Sequence, residues 1–258
     1  MGLEKIKQTY DDIYIILSPP RCSSTTLARV FWEHPSIGFY SHEPYEVVYH
    51  HGLSVEHAHR FIENPITLKN TGVGNLIIKE MTFQVRDHFS ELSKMTKHPL
   101  VFLLRNPALS FKSRMKKFEE GANESGLAYE NAGMDAGWDD LLVQVNQCKE
   151  LGIPYFIIDS TEFRNSPKII FKKLFGKLKL SYSEKMLQWD PRPDITLTKP
   201  GGEHIKHFYE RTLNSSGIQP ASEPIPEIES FSLNVQELLG KCDEIYRTLL
   251  RDANHITL

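Results

Sequence analysis

The chain has 258 residues, of which 40% are hydrophobic and 24% are charged, and this composition suits one large α/β domain with its own buried core. A formal net charge of −3 argues against a strongly basic protein that binds duplex nucleic acid. The three cysteines are far apart and form no CxxC pair, so we expect neither a disulfide framework nor a zinc site. No apolar run reaches the length of a signal peptide or a membrane helix, which leads us to expect a cytoplasmic protein with no membrane partner.

Short, continuous apolar runs predict strands that are buried on both faces of a parallel sheet. In chain order these runs are 13–17, a weaker 37–40, 75–80, 99–104 and 155–159. Helical patterns are found at 25–34, 83–95, 109–120, 167–178 and 235–250. This alternation predicts βαβ units, and right-handed crossovers place helices on both faces of a central parallel sheet of about five strands.

Three segments rich in Gly, Pro, Asn or acidic residues interrupt this alternation and predict loops. They are 119–137, 190–202 and 214–230. Long loops of this kind often carry function, so we expect lid-like segments near 119–137 and 190–230 within one domain that spans 1–258.

The loop after the first strand has the features of a phosphate-binding site. The sequence SPPRCSSTTL (18–27) joins a buried strand to an apolar-periodic helix, and small hydroxyl residues occupy the turn. The unpaired N–H groups at a helix start bind phosphate readily, and Arg21 adds a charged fork that matches phosphate or sulfate oxygens. The alternative is that Ser23 or Ser24 only caps the helix.

This loop does not match the GxxxxGK[ST] pattern of nucleoside triphosphatases, because it lacks both glycines and the lysine. Asp159, at the end of the 155–159 strand, is only a distant candidate for a magnesium ligand. Hydrolysis of ATP or GTP is therefore the weaker choice.

Three segments, in the right order, resemble the sulfotransferase superfamily, whose donor is 3′-phosphoadenosine 5′-phosphosulfate (PAPS) and whose product is 3′-phosphoadenosine 5′-phosphate (PAP). The segment that resembles the 5′-phosphosulfate loop and its helix is SPPRCSSTTLARVFWEHPSI, and the one similar to the 3′-phosphate motif is VFLLRNPALSFKSRMKKF. The late strand–helix unit is matched by YFIIDSTEFRNSPKIIFKKLFGKLKLSYSEKMLQW. The resemblance extends over about residues 13–190 and implies a P-loop-like three-layer α/β fold and a sulfuryl transfer without a metal.

The resemblance also implies which residues bind the donor. Arg21 takes the place of a cation that stabilises the leaving phosphate, and Arg105 and Ser113 take those of the two 3′-phosphate ligands. The other proposed residues of the 5′-phosphate loop are Cys22, Ser23, Ser24, Thr25 and Thr26. Cys22 and Ser23 replace the usual Ser and Gly, and a Ser in a turn that needs an unusual backbone angle implies strain.

The acceptor must lose a proton, and Glu43 in the segment SHEPY matches the base of several subfamilies in its spacing from the loop. His42 is the alternative, since its ordinary pKa is closer to neutrality. Adjacent strand residues face opposite ways, so we expect only one of the two side chains to point at the site.

Lys79 resembles a strand-end lysine that contacts the sulfuryl group in the cytosolic branch of the family. Met81 stands where that branch has a histidine base, which favours Glu43 as the base. Glu80 is the second candidate base, and its alternative role is to form a salt bridge with Lys79 or Arg86.

A late loop with Lys199, Gly201 and Gly202 resembles the basic loop that closes over the 3′-phosphate in some relatives. Arg192 and Arg211 are alternatives for the cation. The histidines show no metal-ligand spacing joined to carboxylates, so we expect no metal. Aromatic residues suited to a small-molecule acceptor occur near the predicted lids, and they are Tyr45, Tyr49, Phe83, Tyr129 and Trp138.

Two other hypotheses remain open. One is a small kinase or NTPase with a degenerate loop, which would need magnesium and ATP. The other is a non-catalytic nucleotide-binding relative, although the presence of Arg21 and of candidate bases favours an enzyme. The HEPY segment and the STTLAR loop are also similar to divergent sulfotransferase-like proteins that carry an aminotransferase-like label, but no pyridoxal signature is present. The oligomeric state stays open.

Overall fold

The computed structural model of the protein describes residues 3–69, 74–125, 136–199 and 206–258. The strands of this part are β1 (Ile13–Ser18), β2 (Ile37–His42), β3 (Ile66–Thr67), β4 (Asn75–Met81), β5 (Leu100–Leu104) and β6 (Tyr155–Asp159). The helices are α1 (Leu3–Thr9), α2 (Ser24–Trp32), α3 (Glu46–His51), α4 (Val55–Glu63), α5 (Thr82–Val85), α6 (Phe89–Ser93), α7 (Pro107–Ser125), α8 (Trp138–Leu151), α9 (Ser160–Asn165), α10 (Pro167–Lys177), α11 (His207–Leu213) and α12 (Leu233–Leu250). Within these described ranges, no helix is both long and apolar enough to cross a membrane.

The strands form one sheet in the order β3-β2-β4-β1-β5-β6. The five predicted strands are confirmed, and they pair in parallel. The count of about five was one too low, because β3 pairs antiparallel with β2 at the edge of the sheet. A strand of two residues is too short to leave a periodic signal in the sequence.

Side chains of the central strands alternate between two hydrophobic cores, one on each face of the sheet. On β1, Ile13, Ile15 and Leu17 belong to one core, while Tyr14 and Ile16 belong to the other. Helices α1, α4, α8 and α12 complete the first core, and α2, α10 and α11 complete the second. Burial on both faces explains the continuous apolar runs, and the predicted three-layer α/β arrangement is confirmed.

Two predicted segments differ from the structure. The predicted helix 83–95 is divided into α5 and α6, because the backbone at Arg86 (φ −2°, ψ −93°) leaves the helical region. In the predicted lid-like loop 119–137, residues 119–125 instead extend α7, and 126–135 lie outside the described residues. The second lid-like segment, 190–230, includes α11. Glu and Ala residues at the end of α7 favour a helix strongly enough to outweigh its single glycine.

The strand order places a ligand crevice at the carboxyl ends of β1 and β5. The chain leaves β1 toward β2 on one side of the sheet and leaves β5 toward β6 on the other. Two neighbouring parallel strands whose connections diverge leave a crevice beyond their carboxyl ends, where open α/β sheets bind ligands. The loops that follow β1 and β5 carry Arg21 and Arg105 into this crevice.

Candidate functional site

The loop between β1 and α2 adopts a backbone shape that glycine would favour. Ser23 precedes α2 with φ 67° and ψ 26°, and Arg21 has φ 62°. These angles lie in the left-handed region, so the strain predicted for Ser23 is present. The Ser23 side chain makes no capping hydrogen bond, so its reading as a simple side-chain cap is wrong. The first N–H groups of α2 thus receive no hydrogen bond from the Ser23 side chain, and unpaired N–H groups at a helix start bind anions readily.

The hydroxyl residues of the first turn of α2 differ in accessibility. Ser24 is buried, whereas Thr25 and Thr26 are partly exposed at the start of the helix. Cys22 is fully buried, and its Sγ lies 3.6 Å from Ser110 Oγ beneath the loop. Burial raises the pKa of the Cys22 thiol to about 12, so the thiol stays neutral at physiological pH.

Arg21 joins the loop to two other elements. Its Nε donates a hydrogen bond to Ser113 Oγ at 3.2 Å, so α7 brings its serine to the phosphate loop. Its Nη1 donates to the carbonyl of Phe208 at 3.4 Å, and the guanidinium lies 5.3 Å from the centre of the Phe208 ring. Helix α11 therefore packs against the cation of the loop, a contact that the sequence reasoning missed.

Arg105 links the two predicted anion-binding groups into one site. Its Nη1 donates a hydrogen bond to the carbonyl oxygen of Arg21 at 3.0 Å. Its Nη2 pairs with the carboxylate of Glu223, and only 6% of the residue is exposed. Arg21, Ser113 and Arg105, which sequence reasoning assigned to two phosphates of one ligand, thus lie together in the crevice.

A buried cluster of charges lies at the carboxyl ends of β2 and β4, on the other side of β1. Lys79 Nζ pairs with Glu43 Oε1, and His42 Nε2 lies 3.3 Å from the same oxygen. Gln84 Nε2 donates to Glu43 Oε2 at 3.4 Å. Burial alone would raise the pKa of Glu43, but the Lys79 ammonium and the neighbouring His42 hold it at about 2. Glu43 is therefore ionised at neutral pH.

The expectation that only one of His42 and Glu43 points at the site is wrong. The chain leaves β2 after His42, and Glu43 takes a positive φ of 46°. This turn brings both side chains to the same side, where they touch. His42 is nonetheless a poor proton acceptor, because burial and then the positive charges of Lys79 and Lys199 outweigh Glu43 and hold its pKa well below the ordinary value. Its Nδ1 and the Tyr40 hydroxyl are 2.5 Å apart.

Glu80 binds backbone rather than a cation. Its two carboxylate oxygens accept hydrogen bonds from the N–H of Tyr45 at 2.8 Å and of Met81 at 2.7 Å. The alternative salt bridge with Lys79 or Arg86 is wrong, since Lys79 pairs with Glu43 and Arg86 pairs with Asp140 at 2.9 Å. Burial and the charge of Glu43 raise the pKa of Glu80 to about 8. Glu80 therefore fixes the turn that presents Glu43.

The late cations occupy different places. Lys199 is buried, donates to the carbonyl of His42 and lies 3.6 Å from Glu46 Oε2, so it joins the Glu43 cluster. Gly201 and Gly202 lie outside the described residues. Arg192 pairs with Asp194 at 2.8 Å, and Arg211 Nη1 lies 3.8 Å from Glu223 Oε1, which places Arg211 nearer to Arg105.

Residues of α11 cover the site and escaped the sequence reasoning. The Tyr209 ring contacts the His42 ring edge-on at 4.7 Å, while its neighbour Phe208 lies against Arg21. One short helix therefore spans both the Glu43 cluster and the phosphate loop. The only sequence signal was the aromatic pair inside a segment that otherwise predicted a loop.

Some predicted residues serve the fold instead. Asp159 Oδ1 accepts from the N–H of Thr161 at 2.8 Å and so caps α9, while Oδ2 accepts from the Tyr246 hydroxyl at 2.9 Å. Trp138 and Tyr45 are buried in the hydrophobic core, so neither lines an open acceptor pocket. The remaining acceptor candidates are Tyr49 and Phe83, whose rings meet at 5.1 Å, and Tyr129, which lies outside the described residues.

Comparisons with known proteins show the fold. No family model matches the sequence. The chain is 27% identical over 168 residues to branched-chain-amino-acid aminotransferase-like protein 2 of Arabidopsis thaliana, a match that covers 64% of this chain but only 26% of that protein. The sulfotransferase domain of the curacin biosynthetic pathway has a TM-score of 0.50 and 13% identity, over 91% of this chain and 98% of the domain. The sulfotransferase domain of the Synechococcus PCC 7002 olefin synthase has a TM-score of 0.54 and 13% identity, over 95% and 96%. The chain thus has the sulfotransferase fold.

Proposed function

We propose that this chain transfers a sulfuryl group from PAPS to a hydroxyl or amine of a small-molecule acceptor. The observation that carries the proposal is the hydrogen bond from Arg105 Nη1 to the carbonyl oxygen of Arg21 at 3.0 Å. It places the cation of Arg105, at the end of β5, against the backbone of the loop that carries the cation of Arg21 at the start of α2. A donor with phosphates at both its 5′ and 3′ positions needs two such groups side by side.

In the proposed reaction, the acceptor atom forms a bond to sulfur in line with the breaking bond to the 5′-phosphate oxygen, and PAP leaves. The α2 N–H groups and the hydroxyls of Thr25 and Thr26 hold the 5′-phosphate, and Arg21 neutralises the charge that develops on the bridging oxygen. Arg105 binds the 3′-phosphate, for which its guanidinium fork is well matched.

Glu43 is proposed to take the acceptor proton, and its contact with Lys79 explains how it becomes a base. A carboxylate with a pKa of about 2 is ionised but accepts protons weakly. When a sulfuryl group lies beside Lys79, the ammonium is shared with the sulfuryl oxygens and its hold on Glu43 weakens. The pKa of Glu43 then rises toward its ordinary value, so donor binding activates the base.

Donor binding is the first test. Isothermal titration with PAP should give saturable one-site binding without magnesium, and ATP with magnesium should bind more weakly. The variant Arg21→Ala should lose at least about tenfold in PAP affinity, because it removes a charge-assisted hydrogen bond of roughly 1.5–3 kcal/mol. The matched control is Arg60→Ala, at an exposed position on α4.

The alternatives predict other results. Binding of ATP with magnesium but not of PAP would favour a degenerate kinase or NTPase, and the capping role of Asp159 argues against that hypothesis. Binding of PAP with no release of PAP from PAPS across a panel of small phenols, alcohols and amines would favour a non-catalytic relative. Turnover that survives in Arg21→Ala would contradict the role of Arg21.

A further inference from the structure

Arg105, the proposed ligand of the 3′-phosphate, already pairs with a carboxylate that belongs to the chain itself. Glu223 pairs with Arg105 Nη2, and its other oxygen lies 3.8 Å from Arg211 Nη1. Glu223 is 118 residues from Arg105 in the sequence. Its side chain is 45% exposed, whereas that of Arg105 is 7% exposed, so a surface carboxylate reaches inward to a buried cation.

The segment that carries Glu223, residues 218–225, is fastened to the domain by few contacts. Arg164 of α9 donates to the carbonyl oxygens of Gln219 at 2.8 Å and Pro220 at 2.9 Å. The N–H of Ala221 donates to Asn165 Oδ1 at 2.9 Å. The segment forms neither helix nor strand, and its first residue, Ile218, also donates its N–H to the carbonyl oxygen of Leu187 at 3.3 Å. These side chains, Glu223 and the Ile218 backbone hold the segment to the domain.

Glu223 interacts with three arginines. Glu223 pairs with Arg105, lies near Arg211 and acts on the charge of Arg164, while Asp159 and Glu162 line the same cavity as Arg105. Burial lowers the pKa of Arg164, and the charges of Arg105 and Arg211 lower it further, against the opposing effect of Glu223. A phosphate monoester dianion carries more charge and more acceptor oxygens than the carboxylate of Glu223, so it suits the guanidiniums of Arg105 and Arg211 better.

A cavity lies directly beside the pair. It has a volume of about 440 Å³ and is lined by Arg105, Asn106 and Asp159 on the sheet side and by Ala221, Glu223 and Ile225 of the segment. The segment thus forms one wall of a cavity at the carboxyl ends of β5 and β6.

We propose that residues 218–225 form a displaceable strap whose Glu223 carboxylate occupies the place of the donor's 3′-phosphate until PAPS binds. The inference rests on the proposed function, because it takes Arg105 as the 3′-phosphate ligand. Donor binding exchanges one anion on Arg105 for another and releases the strap. The empty site therefore keeps its buried arginine neutralised, and the 3′-phosphate is the signal that opens it.

The test compares Glu223→Gln with the wild type for two ligands, PAP and adenosine 5′-monophosphate, which lacks the 3′-phosphate. Gln keeps the size of the side chain but removes the competing charge. We expect PAP to bind roughly fivefold more tightly, since a half-exposed ion pair is worth up to about 1 kcal/mol. Affinity for adenosine 5′-monophosphate should not change. The control is Glu227→Gln, an exposed carboxylate four residues further along.

Hydrogen exchange in the wild-type protein gives an independent measure. Saturation with PAP should accelerate amide exchange in 218–225, and adenosine 5′-monophosphate should leave it unchanged. If the wild type binds PAP but Glu223→Gln binds it no more tightly and exchange in the strap is unaltered, the strap is refuted while the proposed function stands. If neither protein binds PAP, both proposals fail and the Arg105–Glu223 pair is purely structural.

Discussion

The buried pair of Lys79 and Glu43 gives a prediction whose size follows from the structure. Replacing Glu43 by Gln leaves a fully buried ammonium without its counterion. A pKa of about 2 for Glu43, against an ordinary 4.5, corresponds to about 3 kcal/mol of stabilisation at neutral pH, at ~1.4 kcal/mol per pKa unit. We therefore expect Glu43→Gln to lower the free energy of unfolding by about 3 kcal/mol at pH 7.

The same pair fixes the sign of a pH dependence. The pKa of Glu43 is lower in the folded protein than in the unfolded chain, so its contribution is fully present above about pH 4.5. That contribution is lost as the pH falls from about 4.5 to about 2, because the carboxylate is protonated and leaves Lys79. The difference in stability between the wild type and Glu43→Gln should therefore shrink toward zero over this interval.

Urea unfolding followed by circular dichroism at several pH values between about 2 and 7.5 measures this difference. Glu237→Gln is the control, because Glu237 is an exposed residue of α12 whose pair with Lys241 is worth a few tenths of a kcal/mol at most. PAP titration on the same samples separates stability from donor binding, which should survive in Glu43→Gln. The reasoning would be refuted if the variant and the wild type were equally stable at pH 7 and lost stability in parallel as the pH fell.

Two further predictions concern the phosphate loop and the end of β6. Ser23→Gly should stabilise the protein by up to about 1 kcal/mol, because it relieves a left-handed backbone at a non-glycine residue. Thermal denaturation should show a higher midpoint for the variant, and titration with PAP should show that binding is retained. Asp159→Ala should destabilise the protein by about 1–2 kcal/mol through loss of the α9 cap. Its PAP affinity should stay within about twofold of the wild-type value. If the variant instead lost nucleotide binding and added magnesium restored it, the assignment of Asp159 as a cap would be contradicted.

The sequence was sufficient for the parallel strands because burial on both faces leaves an unbroken apolar run, which the loops interrupt. It was insufficient for β3, because a strand of two residues shows no periodic pattern of apolar residues. It was also insufficient for the break at Arg86, because the apolar pattern continues across α5 and α6. The helical end of α7 was missed because the same residues that suit a loop, Gly and Asn among them, stand between strong helix formers.

In the site, local motifs predicted Arg21, Arg105 and Ser113, and the structure brings these three together. The relation between His42 and Glu43 was mispredicted, because strand alternation ends where Glu43 takes a positive φ, and no glycine marks that turn. The contacts of α11 and of Glu223 depend on chain segments more than 100 residues away, which a single sequence does not reveal. The tertiary fold alone supplies them.

The three buried thiols allow local opening of the protein to be measured region by region. Cys22 lies beneath the phosphate loop, Cys148 is on α8, and Cys242 is on α12. Burial raises the pKa of each thiol to about 12, so an alkylating reagent reacts only when the surrounding structure opens. Labelling rates at the three positions report three separate motions, and a ligand that closes the crevice slows the reaction at Cys22 while leaving the two helices as internal references.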